Sequence, residues 1–559
     1  MSENKKKETS PENVRVGVFI CDCGSNIAGH LDCTSVTEYA ADLPGVVYAK
    51  ENLYTCSESG IVEIKDAIKE HDLNRVVVAS CSPRTHHPLF SGSCAEAGLN
   101  PYLFEMVNIR DQCSWVHMGK REEATSKAKD LVRMGVAKSI GLEPQQDIAS
   151  SLTRSVLVIG GGLAGLSAAD ALAAMGLDVT LVEKSSRPGG LLNAIDRLAG
   201  GDKAAERIEE LMASVNAKEN ITVLLKSQVK SIGGYIGNYD VSIEGPEGQT
   251  ALCAGCIVVA TGAQPLIPKD LYGYDGKTVI SQMELEQRFK KGGVDASKIV
   301  MIQCAGTRDD NREYCSRICC MTAVKNAMFL KEQNPFAEIT VLYRDMQMYG
   351  TEKEQMLWDA RGMGIRFDVY DPENPPKVEE GKVSYLQAVM GEEREVAYDM
   401  AVLSPPMVPT ASSGELAQMM RVPTDQNGFF LEAHAKLRPL DFAADGIFVC
   451  GSARYPATTD EAMSQGIGVS SRVASILFKD ELITDAIVAE IKPETCAGCL
   501  GCLGVCPYEA ISFDGDKRVC RVNEILCKGC GNCAATCPSH SAVLKGYKPE
   551  QLLAQIRVA

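Results

Sequence analysis

The stretch SVLVIGGGLAGLSAADALAAMGLDVTLVEK, residues 155–184, decides the fold of the central part of the chain. Its pattern predicts a buried strand, a glycine-rich turn, a helix and a second strand, in that order. Gly160-x-Gly162-x-x-Gly165 allows a tight turn and a close approach of phosphate to the backbone at the start of the helix. Glu183 ends the second strand, where a carboxylate can bind a ribose hydroxyl. The stretch therefore predicts a dinucleotide-binding βαβ unit.

The composition is that of a folded protein with several domains. The chain has 559 residues, 45% hydrophobic and 23% charged, which is too long for one core and too apolar for a disordered chain. A net charge of -16 argues against nucleic acid and anionic membranes as main partners. We find no run of roughly 18 apolar residues, so we expect no membrane span. The opening MSENKKKETSPEN lacks the apolar core of a secretory signal, so we expect a cytoplasmic protein.

The 23 cysteines are the unusual feature of the composition. Seven lie within residues 21–113, six within 253–320 and nine within 496–537. Disulfides are uncommon in the cytoplasm, whereas clustered cysteines there are typical of metal centres. The clustering therefore predicts several separate metal sites.

The C-terminal cysteines contain C-x2-C-x2-C-x3-C-P twice, which is the strongest signal in the chain. In this motif three thiolates hold one cluster and the fourth reaches the other cluster. The first [4Fe–4S] cluster is then predicted on Cys496, Cys499, Cys502 and Cys537, and the second on Cys527, Cys530, Cys533 and Cys506. Zinc is the alternative for C-x2-C pairs. Cys520 lies outside the motif and is expected to be a buried hydrophobe.

Three further motifs indicate which cofactor the βαβ unit holds. They are RPGG at 187–190, IVVATGAQP at 257–265 and GIFVCGSA at 446–453. Together with the glycine turn they resemble the thioredoxin-reductase-like flavoproteins with two dinucleotide-binding domains. This resemblance implies an α/β fold and bound FAD. The cofactor-binding residues that it implies are Gly160, Gly162, Leu163, Ala164, Gly165, Glu183, Lys184, Gly190, Ala260, Thr261, Gly262, Gly451 and Ser452.

The chain departs from that family at two places. Flavoproteins of this kind usually have Gly-Asp where this chain has Gly451-Ser452, so the ribityl contact of the aspartate must be made otherwise. Their second dinucleotide domain binds NAD(P)H through a glycine motif, but here the strand at 298–302 leads into Gln303-Cys304-Ala305-Gly306. The missing phosphate loop argues against NAD(P)H binding at this domain.

A second cysteine motif follows the strand at 298–302. Cys304, Cys315, Cys319 and Cys320 lie within seventeen positions, the last three on the predicted first turns of a helix. This spacing favours a [4Fe–4S] cluster beside the flavin. The alternative is a set of cysteines buried on an apolar helix face.

The N-terminal segment alternates strand-like and helix-like stretches, which predicts a small α/β domain. Cys21 follows the run VRVGVFI and Cys81 follows RVVVAS, so both should lie at the carboxyl edge of a parallel sheet, where such folds bind ligands. We hypothesise a cluster held by a subset of Cys21, Cys23, Cys56, Cys81 and Cys113. The alternative is structural thiols beside a docking surface for another protein of a complex.

These patterns divide the chain into six segments. They are 1–142, an N-terminal α/β domain; 143–154, a linker; 155–297, the first part of the FAD domain; 298–408, a degenerate second dinucleotide domain; 409–478, the second part of the FAD domain; and 479–559, a two-cluster ferredoxin domain.

The whole arrangement resembles the A subunit of heterodisulfide reductases. The resemblance rests on VGVFICDCGSNIAG, VVVASCSPR and NIRDQCSWVH in the N-terminal domain, on the Cys304–Cys320 motif and on the ferredoxin tail. It implies an FAD and iron–sulfur oxidoreductase subunit that relays or bifurcates electrons within a complex. Implied partners are a hydrogenase, formate dehydrogenase or NADH-oxidising module and a heterodisulfide- or quinone-reductase-like subunit. Methanogen members carry an extra ferredoxin insertion, whereas residues 271–298 here contain no cysteine.

One residue is predicted to tune the flavin. Lys325 is a lone charge in the apolar run MTAVKNAMF, and a cation near flavin N5 stabilises its reduced forms. We hypothesise that Lys325 faces the isoalloxazine; the alternative is a surface lysine whose stem covers apolar groups. Glu284, in ISQMELE, is a weaker candidate for the same site.

Two other functions compete with electron relay. One is a self-contained NAD(P)H:acceptor oxidoreductase similar to the small subunit of glutamate synthase, which also combines ferredoxin-type clusters with this flavin fold. The other is a scaffold with vestigial cofactors. We favour the relay because the chain shows no nucleophile–base pair, no intact nicotinamide loop and no disulfide-reducing pair at its usual place.

Overall fold

The computed structural model describes residues 13–559. The chain divides into two compact units, one made of residues up to 149 together with 483–559, the other of residues 150–482. Residues 1–12, on which the expected cytoplasmic location depends, lie outside the described part. Every helix within residues 13–559 is too short or too polar to span a bilayer.

The N-terminal domain has a four-stranded parallel sheet in the order β2-β1-β3-β4, as its α/β alternation predicts. The elements are β1 (Val16–Cys21), α1 (Cys33–Ala41), β2 (Val46–Asn52), α2 (Glu58–Glu70), β3 (Arg75–Ser80), α3 (Pro83–Glu96), β4 (Phe104–Asn108) and α4 (Arg121–Ile140). Every residue of β1 and β3 is buried, because helices cover both faces of the sheet. Cys21 therefore ends a central strand at the carboxyl edge.

The first part of the FAD domain begins after the short strand β5 (Ile148–Ser150). Its elements are β6 (Ser155–Ile159), α5 (Leu163–Ala174), β7 (Asp178–Glu183), α6 (Ala204–Asn216), β8 (Ile221–Leu225), β9 (Gln228–Tyr235), β10 (Asn238–Gly245), β11 (Gly248–Ala254), β12 (Cys256–Val259) and β13 (Ala263–Pro265). β6, β7, β8 and β12 form a parallel sheet, and β9 to β11 form an antiparallel one. The predicted strand, turn, helix and strand are all present.

The second dinucleotide domain begins earlier than predicted. Its elements are β14 (Val279–Ser281), α7 (Gln282–Lys290), β15 (Lys298–Ile302), α8 (Cys319–Gln333), β16 (Glu338–Tyr343), α9 (Thr351–Gly362), β17 (Arg366–Val369), β18 (Lys377–Glu379), β19 (Lys382–Gln387), β20 (Glu392–Ala397), β21 (Met400–Leu403) and β22 (Met407–Pro409). Its parallel sheet has the order β14-β21-β15-β16-β17. The predicted boundary at 298 is wrong, because β14 is too short for its pattern to be read from the sequence.

The second part of the FAD domain completes the first sheet. Its elements are α10 (Ser413–Met420), β23 (Ile447–Val449) and α11 (Thr459–Leu477). β23 pairs in parallel with β12, so the full order is β23-β12-β6-β7-β8. α11 packs on α5, and buried residues of both helices belong to one hydrophobic core.

The ferredoxin domain consists of short elements around the cysteine loops. They are β24 (Leu482–Thr484), β25 (Ala489–Ile491), α12 (Gly501–Gly504), β26 (Ile511–Asp514), β27 (Val519–Val522), α13 (Asn532–Thr536), β28 (Ala542–Leu544) and α14 (Pro549–Val558). β26 and β27 form a hairpin between the two cysteine motifs. Because sulfur atoms supply much of its small core, the domain depends on its cysteines for stability.

Candidate functional site

A cavity of about 720 Å³ lies at the carboxyl edge of the FAD-domain sheet, in the range of cofactor pockets. Eleven of the thirteen predicted cofactor-binding residues line it: Gly160, Gly162, Leu163, Ala164, Glu183, Lys184, Gly190, Ala260, Thr261, Gly262 and Ser452. Second-domain residues close the other side, among them Cys319 and Lys325. The cavity is therefore bounded by the cysteine loop.

The three glycines of the turn have different roles. A Cβ at Gly165 would lie 1.9 Å from the Gly160 carbonyl oxygen, so only glycine lets helix α5 approach the turn this closely. Gly160 has φ +111 and is close to the Ala260 carbonyl. A Cβ at Gly162 would meet nothing within 4 Å. Gly162 thus leaves open space for a phosphate at the start of α5.

The Glu183 carboxylate connects two turns of the cavity wall. It accepts hydrogen bonds from the backbone N–H of Gly161 at 2.7 Å and of Ser185 at 2.8 Å. Each carboxylate oxygen has a further lone pair. Glu183 can therefore accept a ribose hydroxyl in addition to these bonds.

Gly451 and Ser452 were both predicted to bind the cofactor, but only Ser452 lines the cavity. Gly451 lies outside the cavity lining and has φ +66; a Cβ there would be 2.7 Å from Ala164 Cβ, so this glycine serves close packing. Ser452 lines the cavity, and its Oγ accepts a bond from the Ala457 N–H at 3.3 Å. The Ser452 hydroxyl is thus the side-chain polar group of this pair that lies in the cavity wall.

The cavity fits FAD. The Thr261 hydroxyl lies in its wall, buried and without a hydrogen-bond partner in the described part of the chain. Buried polar groups normally have partners, so this hydroxyl points to a bound polar molecule. The open space at Gly162, the N–H groups at the start of α5 and the Glu183 carboxylate suit the pyrophosphate and ribose of a dinucleotide.

Lys325 lines the cavity but is paired with a carboxylate that the sequence did not reveal. Its ammonium forms an ion pair with Glu286 and donates to the Arg197 carbonyl at 2.7 Å. The side chains of Lys325 and Glu286 are 13% and 2% exposed. Burial lowers the pKa of Lys325, and the Glu286 charge opposes this shift. The alternative of a surface lysine is therefore wrong.

Glu284 does not line the cavity. Its carboxylate accepts from the Ser281 N–H at 2.7 Å in the capping box of α7, and from the Tyr274 hydroxyl at 2.8 Å. The prediction of a flavin role for Glu284 is wrong, because both oxygens serve local structure. Glu286, two residues further along the helix, is the carboxylate in the cavity wall.

The cysteines of the second domain lie close together beside the cavity. The pKa of Cys319 is raised, first by a hydrogen bond with Cys320, then by burial and by the charges of Cys304 and Cys315. Helix α8 begins at Cys319, so Cys315 lies in the preceding loop and not on the helix as predicted. Cys304 follows β15 with φ 59. A loop and a helix start bring the four thiols to one place.

The two ferredoxin motifs interleave as predicted. A cavity of about 20 Å³ is lined by Cys506 of the first motif and by Cys527, Cys530 and Cys533 of the second. Cys537 receives a bond from the Ala542 N–H at 3.4 Å. Residues 13–559 contain no group of three or more Cys, His, Asp or Glu arranged around a single metal ion.

Cys520 is buried as expected but also contacts the first motif. Burial first, and then a hydrogen bond with Cys502 and the charges of Cys502, Cys496 and Cys499, together raise its pKa to about 12. Cys520 lies on β27 opposite Phe513, and its position in the sequence does not reveal that it contacts the cysteines of the first motif. At neutral pH it remains a thiol next to the predicted ligands.

Four of the five N-terminal candidates form one group. The pKa of Cys23 is raised by burial and by Cys21 and Cys56, and that of Cys81 by burial and, less strongly, by Cys21 and Cys56. Cys113 is different: it is fully buried in the core, and its thiol donates to the Ala124 carbonyl at 3.2 Å. Its inclusion among the ligands is not supported, because it points away from the sheet edge into the helix packing.

The surroundings of the four N-terminal thiols fit a bound cluster. The Thr55 hydroxyl is buried without a hydrogen-bond partner within residues 13–559, and the Thr55 N–H donates to Cys21 Sγ at 3.4 Å. Arg110 lies near Cys23 and Cys81, and its charge favours their thiolates. A free hydroxyl and a positive charge beside four thiols suit a bound cluster, whose sulfurs accept hydrogen bonds.

Comparisons with known proteins agree with this geometry. A family model described as pyridine nucleotide-disulphide oxidoreductase matches residues 154–466, and one described as 4Fe-4S dicluster domain matches 488–541. The A subunit of the H(2):CoB-CoM heterodisulfide,ferredoxin reductase of Methanothermobacter thermautotrophicus is 36% identical over 658 aligned positions, covering 100% of this chain and 99% of that protein. The chain belongs to the family of heterodisulfide reductase A subunits.

Other members and solved structures extend the comparison. The second iron-sulfur A subunit of the CoB--CoM heterodisulfide reductase of Methanopyrus kandleri is 36% identical and covers 89% of this chain and 91% of that one. The thioredoxin reductase of T. acidophilum has a TM-score of 0.41 at 16% identity, covering 58% of this chain and 100% of that one. For this member of the heterodisulfide reductase family, the predicted fold class, FAD and the two ferredoxin clusters are confirmed.

Two glycine variants separate folding from cofactor binding. We expect Gly162→Ala to leave the thermal stability of the deflavinated protein unchanged but to weaken FAD binding about tenfold or more, because the new methyl group occupies phosphate space. We expect Gly165→Ala to destabilise the protein by about 1–3 kcal/mol through overpacking. FAD absorbance at equilibrium and thermal unfolding measure the two effects. Unchanged FAD affinity in Gly162→Ala would contradict the assignment.

Proposed function

We propose that the chain relays electrons between a donor module and partner acceptors of a multi-subunit complex. The observation that carries this proposal is the shared boundary of the flavin cavity and the Cys304–Cys320 loop. FAD, when bound, exchanges electrons singly or in pairs, and [4Fe–4S] clusters exchange them one at a time. Cys319 and its neighbours in the cavity wall would place a cluster on the Cys304–Cys320 loop next to the flavin.

A third cluster on Cys304, Cys315, Cys319 and Cys320 is part of the proposal. Burial of three of these thiols, at 7%, 7% and 3% exposure for Cys304, Cys319 and Cys320, keeps solvent away. Arg308 lies near Cys304 and Cys320, where its positive charge offsets the charge of thiolates. These features support a cluster in contact with the flavin cavity.

A fourth cluster on Cys21, Cys23, Cys56 and Cys81 is proposed for the N-terminal domain. It is supported by the mutual effects of the four thiols, the neighbouring Arg110 and the Thr55 hydroxyl and N–H, which can donate to sulfur. A place at the carboxyl edge of a parallel sheet is typical of ligand sites. Such a cluster would be an entry or exit point for electrons.

We propose that this chain relays electrons through fewer iron–sulfur clusters than the methanogen relatives do. The alignment with the Methanothermobacter protein has 658 positions for 559 residues here, so about a hundred positions have no counterpart in this chain. The cysteine-free stretch 271–298 is where the resemblance places an additional ferredoxin module in methanogens. Bifurcation through that module is then not available to this chain.

The partners are proposed by analogy with the relatives. Those relatives are named as A subunits of larger enzymes, and one of these enzymes is a Ferredoxin/F(420)H(2)-dependent CoB-CoM heterodisulfide reductase. We propose a hydrogenase, formate dehydrogenase or NADH-oxidising module as the donor, and a heterodisulfide- or quinone-reductase-like protein as the acceptor. The fold offers no nicotinamide loop after β15, which disfavours a self-contained NAD(P)H oxidoreductase.

A direct test uses the full chain purified without oxygen. We expect NADH and NADPH to leave the flavin absorbance unchanged for minutes, because β15 leads into Cys304 instead of a phosphate loop. Dithionite, a low-potential one-electron donor, should bleach the flavin and the clusters. Rapid bleaching by either nicotinamide would overturn the proposed relay in favour of the self-contained enzyme.

Lys325→Ala should make the two-electron midpoint potential of the flavin more negative. Loss of a cation destabilises the reduced, anionic flavin, and a shift of about 30 mV corresponds to a tenfold change in equilibrium. Glu286→Gln should shift the potential in the opposite direction, because it leaves the ammonium unopposed. Spectroelectrochemical titration measures both.

Lys331→Ala provides the matched control for the Lys325 experiment. Lys331 is on the same helix but partly exposed, and it donates to the Pro335 carbonyl at 3.0 Å. The flavin potential of this variant should equal that of the unchanged protein. If Lys325→Ala also leaves the potential unchanged, the lysine does not act on the flavin.

Cysteine substitution tests the N-terminal cluster. Cys81→Ala should remove one [4Fe–4S] equivalent of iron and acid-labile sulfide from the anaerobic protein. Cys113→Ala should leave both contents unchanged, because that thiol lies in the helix packing. Equal iron contents in the two variants would exclude a cluster on the four grouped thiols.

A further inference from the structure

Arg317 occupies an unusual position in the loop between Cys315 and helix α8. Its backbone has φ 63, a left-handed conformation that costs free energy for a residue other than glycine. In this conformation its N–H donates to Cys315 Sγ at 3.3 Å. The backbone of Arg317 therefore contacts a predicted cluster ligand directly.

The Arg317 side chain extends to the FAD domain. Nη2 donates to Glu461 Oε1 at 2.7 Å and Nη1 to Oε2 at 3.4 Å, while Nη1 also donates to the Pro456 carbonyl at 3.2 Å. Two-pronged arginine–carboxylate pairs are strong and directional. One residue thus connects a second-domain thiol with helix α11 of the FAD domain.

Two tyrosines hold the guanidinium in place. Its carbon lies 5.1 Å from the ring centre of Tyr349 and 4.9 Å from that of Tyr455. Tyr349 belongs to the second domain and Tyr455 to the FAD domain. Contacts of this kind add to the ion pair, because a guanidinium is attracted to aromatic faces.

Glu461 is itself fixed. Its carboxylate accepts from the Thr458 N–H at 3.0 Å, and the Thr458 hydroxyl accepts from the Glu461 N–H at 3.2 Å, which forms the capping box of α11. Thr458 lines the flavin cavity. Cys315, Arg317 and Glu461 therefore form a continuous connection from the cysteine loop to the cavity wall.

We propose that Arg317 is a positioning residue that fixes the cysteine loop against the FAD domain and so sets the separation between its cluster and the flavin. This inference rests on the proposed cluster at Cys304, Cys315, Cys319 and Cys320. In the step concerned, one electron leaves the reduced cluster and is taken up by the flavin, and dithionite supplies the electron. Small displacements of reacting groups can lower rates by large factors.

Lysine at position 317 distinguishes positioning from a simple charge effect. A lysine retains the positive charge opposite Glu461 but lacks the planar fork and the stacking of a guanidinium. If the charge alone matters, Arg317→Lys should behave as the unchanged protein. If geometry matters, Arg317→Lys should resemble Arg317→Gln.

The experiment compares Arg317→Lys, Arg317→Gln and Glu461→Gln in the full, cofactor-loaded chain. After rapid mixing with dithionite, freeze-quench EPR follows the clusters and absorbance follows the flavin. We expect electron uptake by the flavin from the cluster to slow about tenfold in all three, with the midpoint potentials of both centres unchanged in Arg317→Lys, which keeps the charge. Arg366→Gln is the control, since Arg366 and its partner Glu338 are 64% and 62% exposed.

The possible results are separable. A normal rate in Arg317→Lys would overturn the positioning role. The iron content of the unchanged protein and of Cys319→Ala tests the cluster beforehand; equal contents would overturn the proposed cluster independently of any rate. If the Arg317 variants fold poorly, Glu461→Gln still tests the positioning role, because it weakens the same ion pair from the other side.

Discussion

The Gly160 carbonyl oxygen lies where a Cβ at residue 165 would be, and the packing of turn and helix in the FAD domain depends on this contact. It fixes the start of α5 close to β6, which directs the first N–H groups of the helix toward the cavity. The same helix packs on α11, whose N-terminus forms another part of the wall. A single distance between turn and helix thus determines the shape of the cofactor site.

The cysteine groups are built on a common physical plan. In the N-terminal and second dinucleotide domains, a buried parallel strand has a thiol at or just beyond its carboxyl end: Cys21 is the last residue of β1, and Cys304 lies two residues after β15. Further thiols come from loops or helix starts that converge on the same edge. Arg110 and Arg308 place positive charge beside these groups. The ferredoxin domain differs, because its short elements depend on the cysteines for their core.

Local motifs could be predicted from the sequence, whereas convergence of distant residues could not. The glycine turn and the two-cluster ferredoxin domain could be predicted because each depends on a few neighbouring residues, and the same holds for the place of Lys325 in the cavity wall. Cys113 and Cys81 look alike in sequence, but only packing shows that one faces α4 and the other the sheet edge. Glu284 and Glu286 are two positions apart on one helix, but the Glu284 carboxylate is used in the capping box at the start of that helix. The three-residue strand β14 carries no readable pattern, so the domain boundary was misplaced.

The shared cavity of Cys506 with Cys527, Cys530 and Cys533 has a consequence for how the ferredoxin domain matures. A nascent chain that has emerged only as far as Cys506 has a fourth thiol that belongs to a centre whose other three ligands are not yet synthesised. On the predicted ligand assignment each cluster takes thiolates from both motifs, so binding a cluster joins the two halves across the β26–β27 hairpin. On that assignment, neither cluster can be completed before both cysteine motifs have been synthesised.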